Sequence, residues 1–135
     1  MGIDYRPGPP APAEFERLFE TTGWNAEYGL GPADLASALH GSAFAVAAYD
    51  GERAVGCGRV VSDGIVHALI VDVIVDPAYQ GRGIGRELMT RLVDECRRRR
   101  IRDVQLFCAT GKRGFYERVG FVARPEEAPG MELRR

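Results

Sequence analysis

One run of sixteen residues, V-D-V-I-V-D-P-A-Y-Q-G-R-G-I-G-R at Val71–Arg86, constrains the fold more than any other part of the chain. Its first part is apolar and β-branched, which is typical of a buried strand, and it ends at Asp76-Pro77. Three alternating glycines follow. An apolar row at every fourth position from Ile84 to Cys96 then predicts a helix. A strand joined by a glycine-rich turn to an amphipathic helix favours an α/β domain.

The rest of the chain supplies further elements for one predicted domain that covers residues 1–135, with a mixed sheet of the α/β (α+β) class. Helices are expected over Pro12–Thr22, Pro32–Leu39 and Gly114–Val119, with the segment Thr21–Gly31 as a loop. The nearly continuous apolar run Ile65–Asp76 predicts a strand that is buried on both faces. The other predicted strands are Gly2–Arg6, Ser42–Asp50, Arg53–Ser62, Asp103–Cys108, Phe121–Arg124 and Gly130–Arg134.

Composition and charge exclude several classes of function. Eighteen basic against 19 acidic residues give a net charge of −1, which argues against a nucleic-acid binder that works by bulk charge. The three cysteines form no C-x-x-C pair and neither histidine has metal-ligand spacing, so we expect no metal site and a reducing compartment. No stretch approaches the roughly 18–20 apolar residues of a membrane span, and the N-terminus lacks the apolar region of a signal peptide. We therefore expect a cytoplasmic location without a membrane partner.

The glycine turn has the features of an anion site. The first amides of a helix have no partner within the helix, and the helix dipole places partial positive charge beside them. Glycines at 81, 83 and 85 carry no Cβ that would keep a ligand away. The pattern therefore predicts a phosphate ligand, with Arg82 and Arg86 adding charge. The spacing matches neither the dinucleotide-binding G-x-G-x-x-G nor the Walker pattern.

The pattern Q-x-x-G-x-G at Gln80–Gly85, after V-I-V-D-P, resembles motif A of the GCN5-related N-acetyltransferases. F-Y-E-R-V-G-F at Phe115–Phe121 resembles motif B of that family. T-G-W-N at Thr22–Asn25 and P-G-M at Pro129–Met131 are similar to its small bacterial and plastid-type branch. The resemblance covers about Gly2 to Glu132, which is most of the chain.

This resemblance implies the acyl-CoA N-acyltransferase (GNAT) fold, a twisted mixed sheet that splays at a V and is flanked by about four helices. It implies acetyl transfer from acetyl-CoA, as co-substrate, to a primary amine. It also implies a homodimer, because many relatives pair through their final strands. The coenzyme residues that it implies are Val73, Ile74 and Val75 for the pantetheine arm, Gln80, Gly81, Arg82, Gly83, Ile84, Gly85 and Arg86 for the pyrophosphate, and Phe115 with Tyr116 near the sulfur.

Two residues are candidates for catalysis. Tyr116 matches the tyrosine of motif B, and a phenol within hydrogen-bond reach can protonate the thiolate that leaves a thioester. Asp72 breaks an apolar run, where a carboxylate is costly unless it is paired or solvated. It either lines the acceptor pocket, where it attracts the ammonium and relays its proton through water, or it is a structural acid.

The acceptor side is assigned to Trp24, Asn25 and Tyr28, together with Asp72. Trp24 either walls an aromatic or cationic pocket or pins its loop onto the core. The branch resemblance implies a small arylalkylamine or polyamine as acceptor; a protein lysine or N-terminus, and a non-catalytic acyl-CoA sensor, are the alternatives. Many family members carry an Asn after the strand that Asp103–Cys108 matches, and here Thr110, Lys112 or backbone groups take that place.

Overall fold

A computed structural model describes residues 2–134 and contains one five-stranded sheet with the order β1-β2-β3-β4-β5. The strands are β1 (Asp4–Pro7), β2 (Phe44–Asp50), β3 (Arg53–Ser62), β4 (His67–Val75) and β5 (Asp103–Leu106). The helices are α1 (Pro12–Glu20), α2 (Asn25–Tyr28), α3 (Pro32–His40), α4 (Ile84–Arg98) and α5 (Arg113–Arg118), and a 3-10 turn spans Pro77–Tyr79.

The sheet is mixed and it opens between β4 and β5. Strands β1 to β4 pair antiparallel in sequence order. Strand β5 lies parallel to β4, but the pairing covers only His67–Ile70 against Asp103–Leu106. β4 continues to Val75 while it stays paired with β3 on its other side. The splayed mixed sheet expected from the family resemblance is therefore confirmed, and the gap lies beside the second half of β4.

The core lies on both faces of the sheet, and side chains of β3 contribute to both; a register shift against β2 between Ala54 and Gly56 interrupts their strict alternation. Val55 faces α4 and packs in a cluster with Leu88 and Leu92. Ala54 and Cys57 face the other side, where they join side chains of α1 and α3. The fully buried side chains of the second cluster fix α1, whose C-terminus borders the gap between β4 and β5.

The last two predicted strands, Phe121–Arg124 and Gly130–Arg134, are wrong. Within residues 2–134 the sheet ends at β5, and these two segments form neither helix nor strand. Pro125 and Pro129 have no backbone N–H to donate to a ladder. The N–H of Ala128 donates to the carbonyl of Pro125 at 2.9 Å and closes a turn there instead.

Three smaller differences concern the ends and faces of elements. The predicted loop Thr21–Gly31 contains the single-turn helix α2. β4 begins at His67 rather than Ile65, because the carboxylate of Asp63 accepts the amides of residues 65–67 and holds them in a turn. Burial of β4 on both faces is confirmed only in part: Ala68 and Ile70 lie in the cluster with α4 and Ile74 lies in the cluster with α1 and α3, whereas the remaining residues from Leu69 to Val75 are only partly buried.

No helix in the described part of the chain is both long and apolar enough to cross a membrane.

Candidate active site

The gap between β4 and β5 is a cleft of about 870 Å³. It extends from the glycine turn before α4, along the second half of β4, to the C-terminal end of α1. Its walls come from β4, the glycine turn, α5 and the loop that leads into α2. The lining residues are Thr21, Thr22, Trp24, Tyr28, residues 70–75, Tyr79, Gln80, Gly81, Gly83, Ile84, Gly85, Arg86, Leu106, Phe107, Ala109, Lys112, Phe115 and Tyr116.

The glycine turn presents the start of α4 to this cleft. Gly81 and Gly83 have φ values of 79° and 82°, in the left-handed region that glycine enters without a steric penalty. Gly83 is the N-cap residue of α4, a helix of 15 residues. Ile84, Gly85 and Arg86 follow as its first turn, where the backbone amides have no acceptor within the helix. The turn thus offers amides and partial positive charge to an anion.

Asp76 anchors the start of the turn. Its buried carboxylate accepts the amide of Ala78 at 2.9 Å, and Arg17 and Arg53 donate to its other oxygen at 3.1 and 3.3 Å. The hydrogen bond from Ala78 and the two arginines hold the pKa of Asp76 below its usual value, against the effect of burial. The acid of the V-D-P sequence is therefore a structural support for the turn, and Arg17 ties α1 to it.

Three further contacts fix the turn from its outer side. The side-chain amide of Gln80 donates to the carbonyl of Val75 at 3.1 Å. The hydroxyl of Tyr79 donates to Asp50. The guanidinium of Arg82 lies over the ring of Tyr79, 4.8 Å from its centroid. Gln80 also lines the cleft, whereas Arg82 lies outside the lining, so of the two predicted arginines Arg86 is the one placed at the site.

Backbone groups of β4 line the cleft because the second half of this strand is not paired with β5. The amide of Asp76 donates to Val55 on β3 at 2.8 Å. Since the backbone groups of successive residues in a strand point to opposite sides, those of Ile74 also point to β3 and those of Val73 and Val75 point into the gap. The predicted pantetheine segment is thus at the cleft, with Val73 and Val75 supplying its free-facing amides.

Tyr116 lies half-buried on α5 and lines the cleft. Its ring packs edge-on against Phe115 and Phe121, at centroid distances of 5.0 and 6.4 Å. Burial, followed by the nearby Cys108, raises the pKa of the phenol above its usual value. Tyr116 therefore keeps its proton at neutral pH, as a general acid must.

Aromatic side chains form the opposite end of the cleft. Trp24 and Tyr28 line it, and both pack on the buried ring of Phe19, at centroid distances of 5.8 and 6.3 Å. The indole of Trp24 stays 39% exposed and the phenol of Tyr28 50% exposed. Trp24 therefore rests on the core and also faces the cleft, and its role toward an acceptor stays a prediction.

Asn25 and Asp72 have partners within the protein. The side chain of Asn25 bonds Glu20 and both backbone groups of Leu30 at 2.8–2.9 Å, and it lies outside the cleft lining. We therefore assign Asn25 to the fold of its loop. Asp72 does line the cleft, and its carboxylate is paired with Arg59 at 2.7 Å.

Two residues at or near the cleft, Thr21 and Arg59, had no motif that would have singled them out. Thr21 and Thr22 line the cleft because α1 ends there, and their hydroxyls bond the carbonyls of Leu18 and Phe19. Arg59 lies on β3, where nothing in its local sequence distinguishes it from other strand arginines. Lys112 lines the cleft, in the segment where the family resemblance leads one to expect an Asn. Within residues 2–134 there is no group of three or more side chains suited to hold a metal ion.

A comparison with known protein families supports the interpretation of the strand, the glycine turn and the helix as a coenzyme site. The pattern of the acetyltransferase (GNAT) family matches residues 6–121. The chain belongs to the GNAT family. Family members use acetyl-CoA, and the cleft places motif A and motif B on one opening.

Curated relatives share part of this GNAT chain. GCN5-related N-acetyltransferase 1 of Arabidopsis thaliana is 37% identical over 83 residues, which are 62% of this chain and 42% of that protein. Serotonin N-acetyltransferase 2 of Oryza sativa is 36% identical over 83 residues, again 62% and 42% of the two chains. The alignment thus spans less than half the length of these chloroplastic relatives.

Solved structures share the whole fold. An acetyltransferase from Deinococcus radiodurans has 29% identity and a TM-score of 0.77, with 98% of this chain and 88% of that chain covered. An acetyltransferase from Clostridium acetobutylicum, solved with acetyl-CoA, has a TM-score of 0.71 at 18% identity over 98% and 96% of the chains. The second likeness concerns the fold alone.

Proposed function

We propose that this chain transfers an acetyl group from acetyl-CoA to the primary amine of a small arylalkylamine. The observation that carries the proposal is the single cleft that joins the amides at the start of α4, the open edge of β4, Tyr116 and the aromatic end at Trp24 and Tyr28. A coenzyme with a diphosphate, a pantetheine arm and a thioester requires an anion site, a peptide-like edge and an acid, in that order along one channel.

The coenzyme would lie with its diphosphate on the amides at the start of α4 and with Arg86 and Lys112 at the mouth of the site. Amides of Val73 and Val75 would pair with the amides of the pantetheine arm, as a neighbouring strand would. A β4 amide near the thioester would polarise its carbonyl and stabilise the negative charge that develops there. Each of these groups lines the cleft.

Acetyl transfer then needs one nucleophile and one acid. The neutral amine attacks the thioester carbonyl carbon, a C–N bond forms and the C–S bond breaks. Tyr116 donates its proton to the departing sulfur, and the proton of the attacking nitrogen leaves to water. The amine must be unprotonated to attack, so the rate is expected to rise with pH until Tyr116 itself begins to ionise.

The aromatic end of the cleft favours an arylalkylamine over a polyamine. Trp24 and Tyr28 offer ring faces that can stack on an aromatic ring or attract an ammonium group. Both rings rest on Phe19, so their side chains lose little conformational freedom when they bind a ligand. The name of the rice relative, a serotonin N-acetyltransferase, agrees with this class of substrate.

A thiol-release screen tests the proposal. Purified protein, acetyl-CoA and one amine at a time are followed with a thiol reagent, using arylalkylamines, polyamines, aminoglycosides and lysine peptides. The expected result is fastest release with an arylalkylamine. Trp24→Ala should raise KM for that amine and leave the affinity for coenzyme A unchanged.

Other outcomes of the same screen favour the alternatives. Preferential release with lysine peptides would identify a protein acetyltransferase. Binding of acetyl-CoA without release for any amine would identify a non-catalytic sensor. Failure to bind acetyl-CoA at all would contradict the proposal together with both alternatives.

A further inference from the structure

Asp72 has an unusual backbone conformation for a residue inside a strand. Its φ is 53°, one of two positive values among non-glycine residues in the described chain. The β3–β4 register pairs Arg59 with Val71 and Cys57 with Ile74. Asp72 and Val73 together therefore lie opposite the single residue Gly58. This is a β-bulge whose first residue is left-handed, a position that glycine usually fills.

The bulge lies where the sheet opens. Pairing of β4 with β5 ends at Ile70 and Leu106, two residues before Asp72. A bulge bends its strand and increases the local twist. The bend at Asp72 thus directs the following backbone, with the cleft-facing amides of Val73 and Val75, away from β5.

Gly58, the residue of β3 opposite the bulge, is closely packed. A Cβ on Gly58 would lie 2.7 Å from Cδ1 of Leu92 and 3.3 Å from Cγ2 of Val73. The helix α4 therefore presses on β3 directly opposite the bulge. The extra residue of the bulge lies on β4, where the backbone of Asp72 adopts the left-handed conformation.

Arg59 holds it. Its Nε donates to Oδ2 of Asp72 at 2.7 Å, and its Nη1 donates to the carbonyl of Ala38 at 3.1 Å and to Oγ of Ser42 at 3.4 Å. The side chains of Arg59 and Asp72 are only 15% and 17% exposed. Because the same guanidinium is also bound to the end of α3, the carboxylate of Asp72 has a partner on β3 that is fixed in place.

We propose that Arg59 is a positioning residue for acetyl transfer, which acts by holding Asp72 in the left-handed conformation that opens the sheet for the pantetheine arm. Asp72 then contributes through its backbone, and its carboxylate serves as the point that Arg59 grips. The inference rests on the proposed function, since it assigns these residues to the same coenzyme site.

A series of substitutions at position 72 distinguishes a role of the backbone conformation from a role of the carboxylate. Glycine and asparagine tolerate the left-handed region and alanine does not. Asp72→Gly and Asp72→Asn should bind coenzyme A within about threefold of the wild type, whereas Asp72→Ala should bind roughly tenfold more weakly and turn over more slowly. A catalytic carboxylate would give a different order, with all three variants equally impaired in kcat.

A rescue experiment tests Arg59 itself. Arg59→Met should weaken coenzyme binding and lower kcat, and the double variant Arg59→Met with Asp72→Gly should recover most of both, since glycine needs no grip to stay left-handed. Arg102→Met, on the exposed segment before β5, is the control for loss of an arginine. Thermal unfolding of each variant identifies any that fails to fold.

Amide NMR shifts and hydrogen exchange of residues 72–75 measure the backbone conformation of the bulge in the coenzyme-free protein. They should change in Asp72→Ala and Arg59→Met and return in the double variant. Equal behaviour of the alanine and glycine variants, or no recovery in the double variant, would overturn the proposal. A wild type that binds no coenzyme A while the amide shifts follow the expected order would instead contradict the proposed function alone.

Discussion

At the scale of single residues, the site depends on groups whose protonation is set by their surroundings. Tyr116 is half-buried beside two aromatic rings, and burial raises the pKa of its phenol. Asp76 has the opposite shift, because an amide and two arginines bind its charged form. A protonated acid near the sulfur and an ionised anchor beneath the diphosphate are what the proposed reaction needs at neutral pH.

The Tyr116→Phe variant tests the acid. Loss of the hydroxyl should lower kcat by roughly 10²–10⁴-fold, the usual contribution of a general acid, with little change in the affinity for acetyl-CoA. The measurement is thiol release under saturating substrates across pH 6 to 10, beside a binding titration. Turnover equal to that of the wild type at pH 7 would remove Tyr116 from the mechanism.

The Asp76→Asn variant tests the anchor. Since the folded pKa of Asp76 lies below the unfolded value, its ionised form stabilises the fold above that unfolded value, and the stabilisation is lost as the pH falls through the folded pKa. Loss of the charged hydrogen bonds should lower the free energy of unfolding by about 2 kcal/mol at pH 7. Urea unfolding at pH 7 and near pH 3 measures it.

Asp94→Asn, on the exposed face of α4, is the matched control. It should leave the free energy of unfolding unchanged at both pH values. A difference between wild type and Asp76→Asn that persists undiminished at the lower pH would contradict the role given to the carboxylate.

At the scale of elements, the sequence predicted the strands and helices that have a clear apolar periodicity. It did not predict features that depend on contacts between distant parts of the chain. The apolar strand, the glycine turn and the row from Ile84 to Cys96 gave β4 and α4 with bounds close to those observed. Local pattern could not reveal that β5 leaves β4 after Ile70, nor that the segment after α5 forms no strand. The bulge at Asp72 was equally hidden, since it depends on the register between β3 and β4 and not on a local pattern.

Alanine variants of the glycine turn test the element that we propose as the binding site of the diphosphate. In Gly81→Ala and Gly83→Ala the alanine has to adopt a left-handed conformation, which costs about 1–2 kcal/mol. A backbone change that relieves this strain would displace the amides at the start of α4. Coenzyme A should bind roughly tenfold more weakly in each variant, as measured by calorimetric titration. Gly64→Ala, in the β3–β4 turn, carries the same strain at a φ of 80° away from the cleft and is the matched control.

Equal losses of coenzyme affinity in Gly64→Ala and in the two cleft variants would show that general destabilisation, and not the geometry of the turn, sets the affinity.

At the scale of the whole molecule, sequence motifs predict the residues of the proposed coenzyme site. The residues of the proposed acceptor site depend on how distant elements pack together. Trp24 and Tyr28 meet at the cleft only because α1, α2 and β4 converge there, which no spacing along the chain encodes. Sequence reasoning thus found the aromatic residues but left the role of Trp24 open. The same convergence explains why Asn25, next to Trp24 in sequence, bonds its own loop instead.

The homodimer implied by the family resemblance stays a prediction. The final strands through which such pairing was expected are not formed within residues 2–134, while Val122, Met131 and Leu133 expose 84–92% of their surface. Exposed apolar side chains in one segment favour association with another surface. Light scattering of the full chain should give the mass of a dimer, and the mass of one chain at all concentrations would contradict the prediction.

The central claim is that main-chain amides at the start of α4 bind the diphosphate of coenzyme A. A crystal structure of the protein with acetyl-CoA tests it most directly. We expect diphosphate oxygens within hydrogen-bond distance of the amides between Gly81 and Arg86, with the pantetheine arm beside Val73 and Val75. Acetyl-CoA bound elsewhere, or a turn whose amides make no contact with it, would contradict the account.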